Sequence, residues 1–330
     1  MNSKISSSFV MFVAMLVLIA LPVTLTLFTV HHPHDMVPTS DNPTPYGYTW
    51  SCLMFVIPVA VLGWWFHFHW AQKMDKRAFY IAVAAFAVSG SVLDITLGNT
   101  FFSFPNKHAV IGWFLPGWKF GVGWVKSLPV EEFVFYVSGN LFTLLVYLWG
   151  GSVWFDRYNP EGYQTLPTDT KHMFRPHWDS LVYAVVLIAG AIVVKKFLVQ
   201  PEHRAGFPGY FIFEVCVLFG PTFVLFHSVK HLINWRAMGL SILMMWLISV
   251  IWEATLALPY GWWAFNKPMM LGIFIRGWSH LPIEEPILWT LAPWVTAMMY
   301  EAVRLFVSSQ NSTRETLLGS KPRPSSARQG

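Results

Sequence analysis

The peptide Leu-Pro-aliphatic-Glu-Glu occurs twice in this chain, as Leu128-Pro129-Val130-Glu131-Glu132 and as Leu281-Pro282-Ile283-Glu284-Glu285. Paired carboxyl groups are suited to proton transfer: the protonated form donates and the ionised form accepts. Each pair opens an apolar run long enough to cross a bilayer. A charge held near hydrocarbon costs about 2.5 to 3.5 kcal/mol even on the lenient insertion scale, so such residues are functional-site candidates by default.

The repetition extends upstream. Before the first copy stand Leu93-Asp94, then Phe104-Pro105-Asn106-Lys107 and Gly112; before the second stand Trp252-Glu253, then Ala264-Phe265-Asn266-Lys267 and Gly272. An acid, then Asn-Lys, then Gly recur in the same order at nearly the same spacing, with extra residues around Pro116 to Gly123 in the first copy. This reads as an internal duplication, with two equivalent acidic sets facing each other across a pseudo-two-fold axis.

The elements that must position these residues are apolar helices. The chain of 330 residues is 55% hydrophobic and 12% charged, far below the roughly 25% charged expected of a soluble domain. Runs of about 20 apolar residues recur along it. The expected fold is an all-α polytopic membrane protein with about eight transmembrane helices, at 8 to 30, 48 to 70, 78 to 97, 129 to 150, 180 to 199, 209 to 231, 238 to 257 and 281 to 306. They divide into two like-oriented halves, 1–165 with helices one to four and 166–306 with helices five to eight, followed by a disordered tail over 307–330. The first helix is taken as retained rather than as a cleaved signal, because its apolar stretch is long for a signal and no small-x-small site follows.

The distribution of Lys and Arg puts both termini in the cytoplasm and the acidic motifs at the outer face. The net charge of +5 comes from scattered basic residues, which argues against nucleic acid as a partner. Cys52 and Cys216 lie inside apolar helices and read as small core residues.

On these spans Asp94 and Glu253 end helices three and seven, Glu131 and Glu284 begin helices four and eight, and Glu214 lies one turn into helix six. All five fall at about one depth. Adjacent glutamates point about 100° apart on a helix, so one of each pair can face a cavity while the other faces a loop. The alternative is plain capping, since Pro at the first helical position with Glu in the first turn is ordinary helix-start chemistry. Asn106 and Asn266 are candidate hydrogen-bond partners for the carboxylates, and Lys107 and Lys267 candidate ion-pair partners for the second Glu of each motif. Aromatic residues crowd the same loops: Trp113, Phe114, Trp118 and Trp124 in the first, Tyr260, Trp262, Trp263, Phe265 and Trp278 in the second. An interfacial aromatic belt would account for such residues one at a time.

The Pro-aliphatic-Glu-Glu helix opening, the acid ending the previous helix and the intervening Asn/aromatic loop resemble the membrane-embedded lycopene cyclases. These are the two-subunit or fused bacterial and archaeal enzymes and the cyclase half of fungal bifunctional proteins. The resemblance covers about 84 to 150 and 243 to 306. Leu128 to Tyr136 fits the motif and the paired aromatics that follow it, including Phe135; in the second copy Pro286 replaces an aromatic and Glu253 stands where Asp is usual. Helices one and five and the segment His31 to Tyr48 are additions to the three-helix unit of that family.

The resemblance implies an intramolecular lyase, or isomerase, of carotenoid biosynthesis in a bacterial cell membrane. Its substrate would be lycopene or another polyprenoid drawn from the bilayer, with no cofactor and no metal. A carboxylic acid protonates the terminal alkene, the ring closes through a carbocation, and a carboxylate removes a neighbouring proton. Glu131 or Glu284 is expected as the acid, with Asp94 or Glu253 as orienting group or proton acceptor and Glu132 and Glu285 completing the set. Trp113, Trp118, Trp124, Phe135, Tyr260, Trp262, Trp263, Trp278, Asn106 and Asn266 are expected around the substrate, where ring faces stabilise a cation by about 0.5 to 2 kcal/mol each. One physical objection stands: a helix N-terminus favours the anion and so opposes a neutral acid there.

Two other classes compete. His67, His69, His227 and His231 lie near the inner ends of helices two and six, and the four-residue spacing of His227 and His231 suits a di-iron membrane oxygenase. That class needs a His-x-x-His-His element, which is absent, and His31, His32 and His34 lie on the opposite face. A proton-coupled transporter also duplicates its acids, but at mid-membrane on broken helices. A retinal receptor would need a Lys in helix seven or eight, and a flavin-dependent cyclase a full G-x-G-x-x-G after a strand. Both are absent, as are the Asp-rich motifs of prenyl transferases.

Overall fold

A computed structural model of the chain describes residues 14, 15, 17, 21, 22, 24, 25, 44–69, 74–161, 163 and 166–319. The expected first span lies outside these, apart from scattered helical positions such as Ala14 and Met15, as do His31, His32 and His34. Six helices among the described residues are long and apolar enough to cross a membrane by length and composition: α1 Gly47–His69, α2 Lys76–Phe101, α3 Val130–Val153, α4 Trp178–Leu198, α5 Gly209–Val229 and α6 Trp235–Ala257. The eighth expected span appears as α7, Glu284–Ser308, with 25 residues. It is long enough by rise alone, about 37 Å, but carries Glu284, Glu285, Glu301 and Arg304.

Local chemistry explains where these helices start. Asp75 caps α2 by accepting from the Ala78 N–H at 2.9 Å, and Asn234 caps α6 by accepting from the Ala237 N–H at 3.1 Å. Pro129 precedes α3 in extended conformation with Glu131 and Glu132 in the first turn, where the unpaired N–H groups attract them.

Helices α3 and α7 form the middle of the molecule. α3 packs on α1, α2, α6 and α7, while α7 packs on α5, α6, α2 and α3. α4 touches mainly α5 and leaves most of its apolar surface uncovered. At the end of the bundle where α3 and α7 begin, the connecting loops form three antiparallel two-stranded ribbons, so the architecture is helical without being purely α. β1 Phe102–Ser103 pairs with β4 Ala264–Phe265, joining the two duplicated loops. β2 Phe114–Lys119 pairs with β3 Gly123–Pro129, and β5 Phe274–Ile275 with β6 Leu281–Pro282. The extra residues of the first copy are the arms and tip of the β2–β3 hairpin, whose turn uses positive φ at Gly121 and Gly123.

Two expectations need correction here. The tail is ordered as far as residue 319: α8, Thr313–Leu318, lies along residues 172–174, which donate their N–H groups to the carbonyls of Glu315, Thr316 and Leu317 at 2.8–3.1 Å. The cause is a capping box, Ser312-Thr313-Arg314-Glu315, in which the Glu315 N–H donates to the Ser312 hydroxyl and that hydroxyl donates to the Glu315 carboxylate. Cys52 is buried as expected, but Cys216 is exposed on the outer face of α5.

Candidate functional site

The two copies of the repeat make matched contacts. The Asn106 amide donates to the Tyr260 carbonyl at 3.0 Å and the Asn266 amide to the Thr100 carbonyl at 2.8 Å, so each loop holds the chain just before the other. Glu131 Oε1 accepts the Ile111 N–H at 2.8 Å, and Glu284 Oε1 accepts the Leu271 N–H at 2.5 Å. Val130 N–H donates to Trp113 O and Ile283 N–H to Ile273 O at 2.9 and 3.0 Å. Gly112 and Gly272 take the same left-handed turn, φ 92° and 97°. In each copy the upstream acid sits in a π-helical turn, Asp94–Gly98 in α2 and Val250–Ala257 in α6. Such turns shift one residue out of the helical register and are frequent at functional sites.

These contacts divide the labour within each Glu-Glu pair. The first glutamate is an anchor: Glu131 also accepts the Thr49 hydroxyl at 2.6 Å, and it and Glu284 tie the Gly-turn loop to the helix start. The second faces inward. Glu132 accepts from the Tyr48 hydroxyl, and Glu285 lies within electrostatic reach of Tyr210 and Glu253. Glu253 accepts from the Trp289 indole N–H at 2.9 Å. Asp94 lies within electrostatic reach of Glu132, buried, with neither carboxyl oxygen hydrogen-bonded. Its place depends on Gly98, where a Cβ would stand 2.3 Å from Asp94 Oδ1.

The inward-facing acids converge. Glu132, Glu253 and Glu285 line one hollow of about 40 Å³, walled by Phe135, Trp252, Trp263 and Trp289. The Tyr136 ring also lines it, within electrostatic reach of Asp94, Glu132, Glu253 and Glu285. Ring centroids 4.5 Å apart for Phe135 and Trp252, 4.6 Å for Trp252 and Trp263 and 5.1 Å for Tyr48 and Trp263 make this a continuous aromatic wall. Phe135, Tyr136, Tyr210, Met245 and Leu288 are shared with a second, larger cavity of about 180 Å³ that is almost wholly apolar. The acids therefore stand at the head of a hydrocarbon-lined chamber.

Other residues expected at the site fall elsewhere. Trp113, Trp118 and Trp124 are 71%, 43% and 64% exposed on or beside the β2–β3 hairpin, where a belt of interfacial rings would sit. Tyr260 and Trp262 are buried behind the site; the Trp262 N–H donates to the Thr44 hydroxyl at 2.9 Å, and Tyr260 presents its carbonyl to Asn106. Trp278 stacks on Trp289 at 6.3 Å and so backs the wall. Asn106 and Asn266 bind backbone carbonyls of the opposite loop. Lys107 and Lys267 are exposed, and among the described residues no ion pair reaches a motif glutamate. Glu214 is buried, both its oxygens lack hydrogen-bond partners, and it lies within electrostatic reach of Glu284 and Glu285.

Sequence reasoning missed Tyr48, Tyr210 and Trp289. A signal was present. Gly47-Tyr48 and Gly209-Tyr210 open α1 and α5, extending the duplication one helix further, and Tyr136 and Trp289 each follow the inward glutamate by four residues, one turn down the same face.

The histidines do not assemble. His227 packs against the His177 ring at 4.8 Å and His69 bonds the Trp65 carbonyl at 2.8 Å. Among the described residues no three His, Cys, Asp or Glu side chains are grouped as metal ligands would be. No family model, curated protein or solved structure matches this chain.

Proposed function

We propose that this protein is a membrane-embedded cyclase that closes a ring at the end of an acyclic isoprenoid, in the manner of the lycopene cyclases its motifs resemble. The observation that carries the reading is the convergence of Glu132, Glu253 and Glu285 on one aromatic-walled hollow at the head of an apolar cavity. In this reading the chain spans the bilayer with both termini cytoplasmic, in two like-oriented halves related by an approximate two-fold axis. The matched Asn, Glu and Gly-turn contacts support the halves.

The chemistry follows from the hydrogen bonds. Glu253, oriented by the Trp289 N–H, and Glu285 line the hollow together, and one of these two carboxyls carries the proton that is donated. That proton adds to the terminal C=C of the substrate and leaves a tertiary cation. The neighbouring double bond attacks the cation, forming the ring C–C bond and moving the positive charge to a ring carbon. Glu132, held by the Tyr48 hydroxyl, takes a proton from the adjacent carbon as a carboxylate, and a double bond is restored. Atoms and electrons balance as an isomerisation, so the reaction draws on no redox cofactor. The flanking faces of Phe135, Trp252 and Trp263 shelter the cation. After turnover the proton returns from Glu132 to Glu253 or Glu285, which line the same hollow.

Expression in a bacterium that accumulates lycopene, with pigments separated by chromatography, tests the reading. Cyclic carotenoids are expected. Unchanged lycopene beside folded, membrane-inserted protein would refute it.

A further inference from the structure

The duplication should give two apolar chambers, one in each copy, yet one is open and its counterpart is filled. The open chamber lies between α2, α3, α5 and α7 and contains Leu93, Val217 and Val295. The positions that match these under the repeat are Trp252, Phe55 and Phe142. All three are buried, with Phe55 5.1 Å from Trp252 and 6.2 Å from Phe142, centroid to centroid. Three rings thus replace three aliphatic side chains and occupy the twin volume.

Two glycines keep the open chamber open. Gly90 on α2 faces Tyr136, and Gly139 on α3 faces Phe135; a Cβ at either would meet its neighbour at 3.5 Å, an ordinary contact, and anything larger would project into the cavity. Gly90 lies one turn below Asp94, and Gly139 about two turns below Glu132. The chamber runs along α7 from Leu288 to Thr296, about 12 Å at 1.5 Å per residue, the length of roughly two to three extended isoprene units. Its mouth is between α2 and α5, where Ser89 is exposed and Phe86, Phe213 and Val217 are half-buried.

We infer that the protein holds a single substrate channel, on the Gly90–Gly139 side, which grips only the terminal two or three isoprene units of its substrate and leaves the remainder in the bilayer. This deepens the cyclase reading and rests on it for the identity of the ligand. One chain end is processed at a time, and recognition is of the end group rather than of total chain length. The filled twin makes the two acid sets one composite site served from one side.

The test is a binding measurement on the full-length protein in lipid nanodiscs. Quenching of tryptophan fluorescence would be followed with lycopene as a 40-carbon probe and with an acyclic 20-carbon polyene that carries the same end group. The expected results are saturation at one probe per chain, dissociation constants for the two probes within about threefold, and at least a tenfold loss for Gly90→Leu and for Gly139→Leu. The same proteins are checked for helical content and melting temperature, and Gly63→Leu, at a position with nothing within 4 Å of a Cβ, serves as the unaffected control. Two probes per chain, a tenfold preference for the longer probe, or wild-type binding by folded Gly90→Leu and Gly139→Leu would each overturn the inference. Tight one-to-one binding without cyclisation would sink the proposed reaction and leave the channel standing.

Discussion

The sharpest consequence of the site geometry concerns neighbouring glutamates. Glu285→Gln keeps the shape of the side chain but removes one of the two carboxyls, Glu253 and Glu285, that can carry the donated proton in the hollow. Removing a general acid or base costs about a hundredfold to ten-thousandfold in rate, or roughly 3 to 5.5 kcal/mol of transition-state stabilisation. Glu132→Gln, by the same argument, removes the proton acceptor. At the adjacent positions the Gln carbonyl still accepts the Leu271 N–H in Glu284→Gln and the Ile111 N–H in Glu131→Gln. Exchanging a charged for a neutral acceptor costs about 1 kcal/mol of stability per bond and leaves turnover within about fivefold of wild type, since a loss of that size still leaves most of the chain folded. The assay is initial cyclisation rate per folded protein in membranes, with melting temperature measured alongside. The division of labour is refuted if Glu131→Gln and Glu284→Gln abolish turnover with the fold intact while Glu132→Gln and Glu285→Gln retain it.

Further outcomes follow from the same contacts. Asn106→Ala and Asn266→Ala each leave a carbonyl of the opposite loop without its donor and should lower stability by about 1 to 3 kcal/mol apiece; denaturation in detergent should show similar losses for both, and a large difference would count against equivalent loops. Gly98→Ala puts a methyl 2.3 Å from Asp94 Oδ1 and 3.1 Å from Leu128 Cδ2, so Asp94 must move and turnover should fall at least tenfold, whereas Gly63→Ala should be silent in the same rate assay. At the opposite end of α7, Glu301 pairs with buried Arg304 at 2.6 Å and accepts hydroxyls of Tyr147 and Tyr163 at 2.8 and 2.9 Å. Glu301→Gln leaves that guanidinium unpaired and should cost about 3 to 5 kcal/mol, seen as a lower melting temperature with an unchanged rate in the protein that remains folded.

Much of the frame was legible because apolar runs and their breaks are long-range signals. The spans expected at 48 to 70, 78 to 97, 129 to 150, 180 to 199, 209 to 231 and 238 to 257 correspond to α1 through α6 within a few residues, and the run at 281 to 306 to α7. The acids were legible because an ionisable residue stands out against hydrocarbon. What a linear reading could not supply was rotation. Whether Glu131 or Glu132 faces inward depends on where the loop N–H groups end up, and that is fixed by the left-handed turn at Gly112 rather than by the motif. The π-helical turns at Asp94 and Glu253 add a further rotation that 3.6-residue periodicity does not contain. The loop aromatics misled for a related reason: Trp113 and Trp124 are exposed on or beside the ribbons, and of the loop tryptophans Trp263 lines the hollow, while Tyr136 and Trp289 reach it from one turn along the helices.

The same rotation answers the objection raised by the helix dipole. The start of α3 or α7 exposes N–H groups and favours an anion, and a single glutamate there would be drawn into capping and lost to proton transfer. With two glutamates in succession the requirements separate. Glu131 and Glu284 accept loop N–H groups beside the helix start, which places them at the positive end of the helix dipole and anchors the Gly-turn. Glu132 and Glu285, about 100° further round, are left to the hollow, where the Tyr48 hydroxyl donates to Glu132. A double carboxylate is therefore needed for the inner one to act as an acid or base, which is why the pair, rather than a lone Glu, recurs in both copies. If so, replacing the anchor by a different acceptor should be tolerated where deleting it is not: Glu284→Gln should retain turnover, and Glu284→Ala, which frees the Leu271 N–H and the α7 start, should lose it together with stability.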